Sequence, residues 1–223
     1  MIKINCNIAK KCGFIIGVLW LASVVSILVV DRSLAIFIHQ YELDKLLILR
    51  NITEGMPIVS LIIVCIVLFI YYWKTANRKV TAITTPIYFY LVLRLSMEIK
   101  TGLKIIFGRY WPKTWVNNNL SLIHDGIYGF NWFHGFGNQG SFPSGHSTYM
   151  AFCTLWLIIY YPKLRYLWLA LMLVCIFSLI ILDYHFLGDC LAGAGLGILC
   201  GLVFISIWQK VTGKVIVTQV IDK

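Results

Sequence analysis

Acidic side chains are scarce in this chain: its 223 residues hold nine Asp and Glu against 19 Lys and Arg, and only 13% of all residues are charged. With 60% of the residues hydrophobic, too little polar surface remains to cover a soluble domain of this length. Internal repeats and low-complexity stretches are also missing, so neither a repeat architecture nor an interdomain linker is indicated. The seven cysteines include no C-x-x-C pair, which leaves no sign of a zinc site or a disulfide framework. Most of them fall inside apolar runs, where a thiol behaves as a small hydrophobe. A net charge of +10 would suit nucleic acid if there were a basic soluble domain to carry it. There is none, and the basic residues instead flank apolar runs, as they do at the cytoplasmic ends of membrane helices.

Long apolar runs are what the chain does have. About 18 such residues cross a bilayer core as a helix, and runs of that kind lie near 13–30, 57–73, 80–99, 145–161, 166–182 and 189–208, the third with a helical pattern continuing to Phe107. The fold class this predicts is all-α: a polytopic membrane protein with six transmembrane helices in one domain over 1–223. The first run follows Lys3, Lys10 and Lys11 but is long for a signal core and ends at Asp31-Arg32 without a small-x-small cleavage pattern, so it reads as a retained helix. Pro57 opens the second run, a position where proline is tolerated. The N-terminal lysines, Lys74, Arg78 and Lys79, Lys163 and Arg165, and Lys210 and Lys214 all fall on one side. That side is expected to be cytoplasmic, with both termini on it. Asp31, Glu42, Asp44 and Glu54 are expected in the first outer loop. The long outer segment 100–144 gathers Lys100, Lys104, Arg109 and Lys113 against Asp125 alone, and phosphate binding is one reason to collect cations there.

Three segments, all on the outer side, carry chemistry. In the first, Lys104 and Arg109 follow an apolar helix that Pro112 stops. Two cations at a helix end can hold a dianion, though taken alone they read better as ordinary flanking charge or snorkelling side chains. The second is Pro143-Ser144-Gly145-His146, which opens the fourth run. A helix N-terminus presents unpaired N–H groups to an anion, glycine permits close approach, Ser144 adds a hydroxyl, and His146 sits in the first turn. In the third, His185 and Asp189 share a helical face. A carboxylate on one imidazole nitrogen fixes the tautomer and leaves the other as a nucleophile; the bland alternative is a structural pair at the start of the sixth helix.

Together these segments resemble the signature of the type-2 phosphatidic acid phosphatase superfamily, which includes the vanadium haloperoxidases. The resemblance runs from about residue 100 to 195 and includes Leu191-Ala-Gly193 after the third segment. It implies that His185 attacks phosphorus to form a phosphohistidine, that Asp189 orients it, and that His146 protonates the leaving oxygen and then activates water. It also implies that Lys104, Ser144 and the Gly145 N–H hold the phosphoryl oxygens, without a metal or other cofactor. Two departures stand out. The family's first-motif arginine falls on Trp111, and the third-motif arginine after Ser178 falls on Leu179. Arg109 is the expected substitute in the phosphate cage. Arg94 is better placed to pair with Glu98 one turn on.

The Phe130–Phe136 aromatics read as interfacial anchors or as an entry lip for a lipid chain, and His124 and His134 as loop histidines. The resemblance thus implies an integral membrane lipid phosphatase acting on a phosphorylated membrane lipid, with no nucleic-acid partner. In a bacterium it would sit in the inner membrane with its site extracytoplasmic. Lipid A, undecaprenyl diphosphate, phosphatidylglycerol phosphate and phosphatidic acid are the substrate classes, with a lean towards a bulky or strongly anionic one. A phosphotransferase that passes the phosphoryl group to an acceptor lipid, and a non-catalytic protein retaining the fold, are the alternatives.

Overall fold

The computed structural model describes residues 4–75, 80–115, 118–136 and 140–212; Lys3, Arg78, Lys79 and Lys214 of the proposed cytoplasmic face lie outside them. The described residues are helical in α1 (Cys6–Val25), α2 (Asp31–Gln40), α3 (Leu47–Thr75), α4 (Val80–Phe107), the short α5 (Leu122–Asp125), α6 (Gly145–Tyr160), α7 (Arg165–Ile181) and α8 (Leu187–Thr212). One π-helical turn, Ser26–Val30, joins α1 to α2 into a single rod. Among the described residues, four stretches are long and apolar enough to cross a membrane: Cys6–Gln40, Ile48–Lys74, Pro162–Ile181 and Leu187–Val211. The two other expected spans are helices as well. α6 has only 16 residues, and α4 carries Arg94, Glu98, Lys100 and Lys104 in its second half. Large apolar side chains such as Phe14, Leu28, Val29 and Tyr166 stay exposed on the outer helices, the surface that an integral membrane protein turns to lipid.

Two boundaries differ from the sequence reading. The first helix does not stop at Asp31, because the chain buries Asp31, Ala35 and Ile38 along one face and continues to Gln40. α3 begins ten residues before Pro57, so Glu54 is helical and pairs with Arg50 one turn earlier at 2.9 Å rather than lying in a loop. Pro57 is accommodated inside the helix, where the Ser60 hydroxyl donates to its carbonyl at 2.8 Å. α4 does run to Phe107. It ends at Gly108, whose φ of 54° and close approach to the Asn131 carbonyl leave no place for a Cβ.

α6 is the hub. Met150, Phe152, Cys153 and Trp156 are buried in it, with Phe89 of α4 edge-on to Trp156 at 5.0 Å between ring centroids. Its contact with α8 is close because α8 presents glycines. A Cβ at Gly193 would collide with the Ser144 carbonyl, and one at Gly197 with the Thr148 carbonyl. Small residues at such crossings let helix backbones approach in a membrane, where packing rather than water drives association. This contact fixes the first turn of α6 against the first turn of α8. Far from it, Tyr72, Tyr160 and Trp208 join α3, α6 and α8 through hydroxyl and indole hydrogen bonds of 3.2 and 3.3 Å.

Gly193→Ala places a methyl group against the Ser144 carbonyl and within 3.2 Å of Ser147 Cβ. It is expected to destabilise the bundle by about 1–3 kcal/mol, read as a lower melting temperature in detergent. Gly17→Ala, with nothing within 4 Å, is expected to leave it unchanged or raise it slightly.

Candidate active site

The Pro-Ser-Gly-His segment forms the start of α6. Ser144 is the N-cap: its hydroxyl accepts from the Ser147 N–H at 3.4 Å and from the Ser147 hydroxyl at 3.2 Å. Its own N–H donates to the Asp189 carbonyl at 3.0 Å, which ties the N-terminus of α6 to that of α8. Ser144 is fully buried, whereas Gly145 and His146, the next two residues, reach a cleft.

His185 stands on the short turn between α7 and α8, outside the helix that carries Asp189, so the two do not share a helical face as their spacing suggested. The Tyr184 and His185 N–H groups both donate to the Leu179 carbonyl, at 3.0 and 3.3 Å, and fold the chain back over the end of α7. Asp189, in the first turn of α8, returns one carboxylate oxygen to the Phe186 N–H at 3.2 Å. That is the reciprocal half of a capping box. The same Oδ2 lies 3.4 Å from His185 Nδ1. With Nδ1 carrying the proton towards the carboxylate, Nε2 keeps the ring's free lone pair. Burial pushes the imidazole down to about 4, with Lys104 adding to the effect and the Asp189 hydrogen bond opposing it. Above that value the ring is neutral and its lone pair available.

The cleft has a volume of about 560 Å³ and is lined by Lys104, Gly145, His146 and His185, together with Lys100 and Trp111. Lys104 Nζ lies 4.6 Å from the centre of the Trp111 ring, and that ring is 5.1 Å from the His185 ring, so lysine, indole and imidazole stand side by side. The Lys100 side chain runs past Gly145: a Cβ built there would be 3.6 Å from its Cδ. Among the described residues neither Lys100 nor Lys104 has a carboxylate partner within 4.0 Å. Arg50, on the outer lip, pairs with Glu54.

Arg109 is placed differently from the phosphate-holding position expected of it. It is fully buried and is not part of the cleft wall. Nη1 donates to Asp189 Oδ1 at 2.5 Å, and Nη2 donates to Asp31 Oδ2 at 2.8 Å and to the Tyr128 hydroxyl at 3.0 Å. The guanidinium carbon also lies 4.4 Å from the centre of the Phe186 ring. Burial works against its charge, but Asp189 and Asp31 outweigh that and hold its pKa above the ordinary value. The physical reason for the placement is that two buried carboxylates need a buried cation, which Arg109 supplies to both.

Leu179 is fully buried in a cluster with Ile38 and Cys190, so no cation stands there. Trp111 stands on the cleft wall as an indole. Arg94 and Glu98 do pair, at 3.4 Å and with both side chains exposed. His124 is exposed beside Asp125, and His134 bonds to the Trp132 carbonyl. Phe130, Trp132 and Phe133 do not line the cleft; Phe130 and Trp132 pack with Phe107 instead, and the cleft's own aromatic lip includes Trp115, Tyr149 and Tyr184. Asp31 is the residue that sequence reasoning missed. The i, i+4, i+7 stripe of Asp31, Ala35 and Ile38 was the available signal.

A profile of the PAP2 superfamily matches residues 85–212, more than half of the chain and all three motifs. The chain belongs to the PAP2 superfamily. Lipid A 1-phosphatase from Helicobacter pylori is 38% identical over 72 residues, which is 32% of this PAP2 chain. The chain spans about 38% of the length of that curated relative in the matched region. The crystal structure of a transmembrane PAP2-type phosphatidylglycerolphosphate phosphatase from Bacillus subtilis shares the fold, with a TM-score of 0.54 at 16% identity over 91% of this chain and 96% of that one.

Arg109→Ala would leave Asp31 and Asp189 buried without a counter-charge. A loss of about 3–5 kcal/mol is expected, measured as a marked fall in the melting temperature of the purified protein. An unchanged melting temperature would contradict the buried ion pairs.

Proposed function

We propose that this PAP2 protein is an integral membrane lipid phosphatase that works through a phosphohistidine on His185. The observation that carries the reading is the convergence of His185, backed by Asp189, with His146, Lys104 and the start of α6 on one cleft. His185 Nε2 forms a bond to phosphorus as the bond from phosphorus to the lipid oxygen breaks, and that oxygen leaves with a proton from His146. His146 then takes a proton from water, whose oxygen displaces His185 and releases inorganic phosphate. Lys104 and the Gly145 N–H hold the phosphoryl oxygens where negative charge accumulates. Ser144 serves this as the cap that presents the helix end, and Arg109 serves it from behind, through Asp189.

The substrate is a membrane lipid phosphate or diphosphate of the lipid A, undecaprenyl diphosphate, phosphatidylglycerol phosphate or phosphatidic acid class. Two cleft lysines one helical turn apart, neither neutralised by a carboxylate, favour the more strongly anionic members. The whole chain acts as one six-span domain, with α4 and α6 completing the bundle. The basic helix ends support a topology with both termini in the cytoplasm and the cleft on the extracytoplasmic face of a bacterial inner membrane.

Phosphate release from a panel of these lipids, in detergent and with a metal chelator present, tests the chemistry. The wild type is expected to be active. His146→Ala is expected to lose about 10²–10⁴-fold, and His185→Ala to fall to background. Equal release by wild type and His185→Ala would sink the mechanism. For orientation, a cysteine placed at exposed His124 is expected to react with a membrane-impermeant maleimide in intact cells, while Cys6 at the other end of the bundle stays unlabelled; the reverse pattern would invert the topology.

A further inference from the structure

The buried charge behind the nucleophile does not end at Arg109. Asp31 is 1% exposed, follows directly on the apolar run of α1 and the π turn, and has both carboxylate oxygens engaged. Oδ1 accepts from the Ser26 hydroxyl at 2.6 Å and from the Gly188 N–H at 3.0 Å, and Oδ2 accepts from Arg109 Nη2 at 2.8 Å. The π-helical turn Ser26–Val30 immediately precedes it, with the Asp31 N–H closing back on the Ser26 carbonyl. Such an inserted residue re-aims the following side chain and is frequent at functional sites. The fit is tight on the other side too. A Cβ at Gly188 would be 2.7 Å from Asp31 Oδ2, and the Ser23 hydroxyl donates to the Gly188 carbonyl at 2.7 Å. The first helix is thus fastened to the beginning of α8, between His185 and Asp189.

We propose that Asp31 is a positioning residue for the reaction at His185, acting through Arg109 and Asp189. Its contribution is one of charge balance. Asp31, Arg109 and Asp189 carry two negative charges and one positive charge, so the group is net negative behind a neutral imidazole. When His185 bonds to phosphorus its ring becomes cationic, and the set of four becomes neutral. Without the Asp31 charge, Arg109 and Asp189 already cancel, and the carboxylate that should face the imidazolium is committed to the guanidinium. In a site this deeply buried such an imbalance is poorly screened. Asp31 does not line the cleft, so it touches neither the phosphoryl group nor the lipid. The other charged or titratable groups around the His185 ring are Lys104 and His146 on the cleft side; neither touches Asp31.

The inference rests on the phosphatase reading, and the test keeps the two apart. Asp31→Asn keeps an acceptor for Ser26 and Gly188 and removes the charge. Its kcat for a lipid monophosphate is expected to fall about tenfold or more while KM stays within about twofold, with the folded fraction followed by tryptophan fluorescence melting. A kcat per folded molecule within twofold of wild type would overturn the proposal. A fall in folded fraction alone, with kcat per folded molecule unchanged, would assign Asp31 a structural role and overturn it equally. Should Asp31→Asn yield no folded protein, Ser26→Ala decides: it loosens the carboxylate without altering charge, and a drop in kcat of about threefold to fivefold is expected. No change there would overturn the proposal. If the wild type released no phosphate from any lipid offered, the phosphatase reading would fail, and this inference with it.

Discussion

A guanidinium and two carboxylates, their side chains shut off from solvent, lie behind the cleft of this bundle. Removing three charges from water costs several kcal/mol for each ion, and only good geometry with every lone pair used repays it. That requirement organises the chain around it. Arg109 comes from the segment after α4, Asp31 from the rod formed by α1 and α2, and Asp189 from α8, so satisfying one cation draws three distant parts of the sequence to a common point. Tyr128 and Phe186 close the remaining sides. The His185 ring is then oriented by a carboxylate that cannot swing away, because its other oxygen is held by the arginine.

The second constraint is the close crossing of α6 and α8. His146 and His185 belong to different elements, and the reaction proposed for them requires that the first turn of one helix and the approach to the other keep a fixed separation. The glycines of α8 remove the bulk that would hold the backbones apart, and the hydrogen bond from Ser144 to the Asp189 carbonyl sets the register. Ser144 is more use to the site as a cap than as a free hydroxyl, since the helix end that it terminates supplies the Gly145 N–H.

Much of this was legible in the sequence because it is local. The motif at 143–146, the spacing of His185 and Asp189, the run of α4 to Phe107 and the Arg94–Glu98 pair each depend on residues within a turn or two of one another. What escaped is long-range. An aspartate at the end of an apolar run reads as a helix boundary, and only the fold shows that a π turn carries the helix through it. Arg109 could be picked out as the nearest spare cation, but not its direction, since the Asp31 and Asp189 partners are 78 and 80 residues away. The shortfall of arginine at Trp111 and Leu179 likewise resolves only in space: one position is an aromatic wall beside Lys104 and the other is apolar core.

The cleft has two walls of different character. One, from α6 and the turn after α7, is locked by backbone contact with the start of α8 and by the buried ion pairs behind it, so almost any change there would disturb the proposed chemistry. The other, from α3 and α4, carries Arg50, Glu54, Pro57 and Met97, and among the described residues its solvent-open Arg50–Glu54 pair is joined to no other ion pair. On the proposed reading, headgroup preference would drift in evolution by substitution along α3 while the reacting groups stay where they are. A bundle divided in this way would, as the proposed phosphatase, be retuned to a new lipid one side chain at a time.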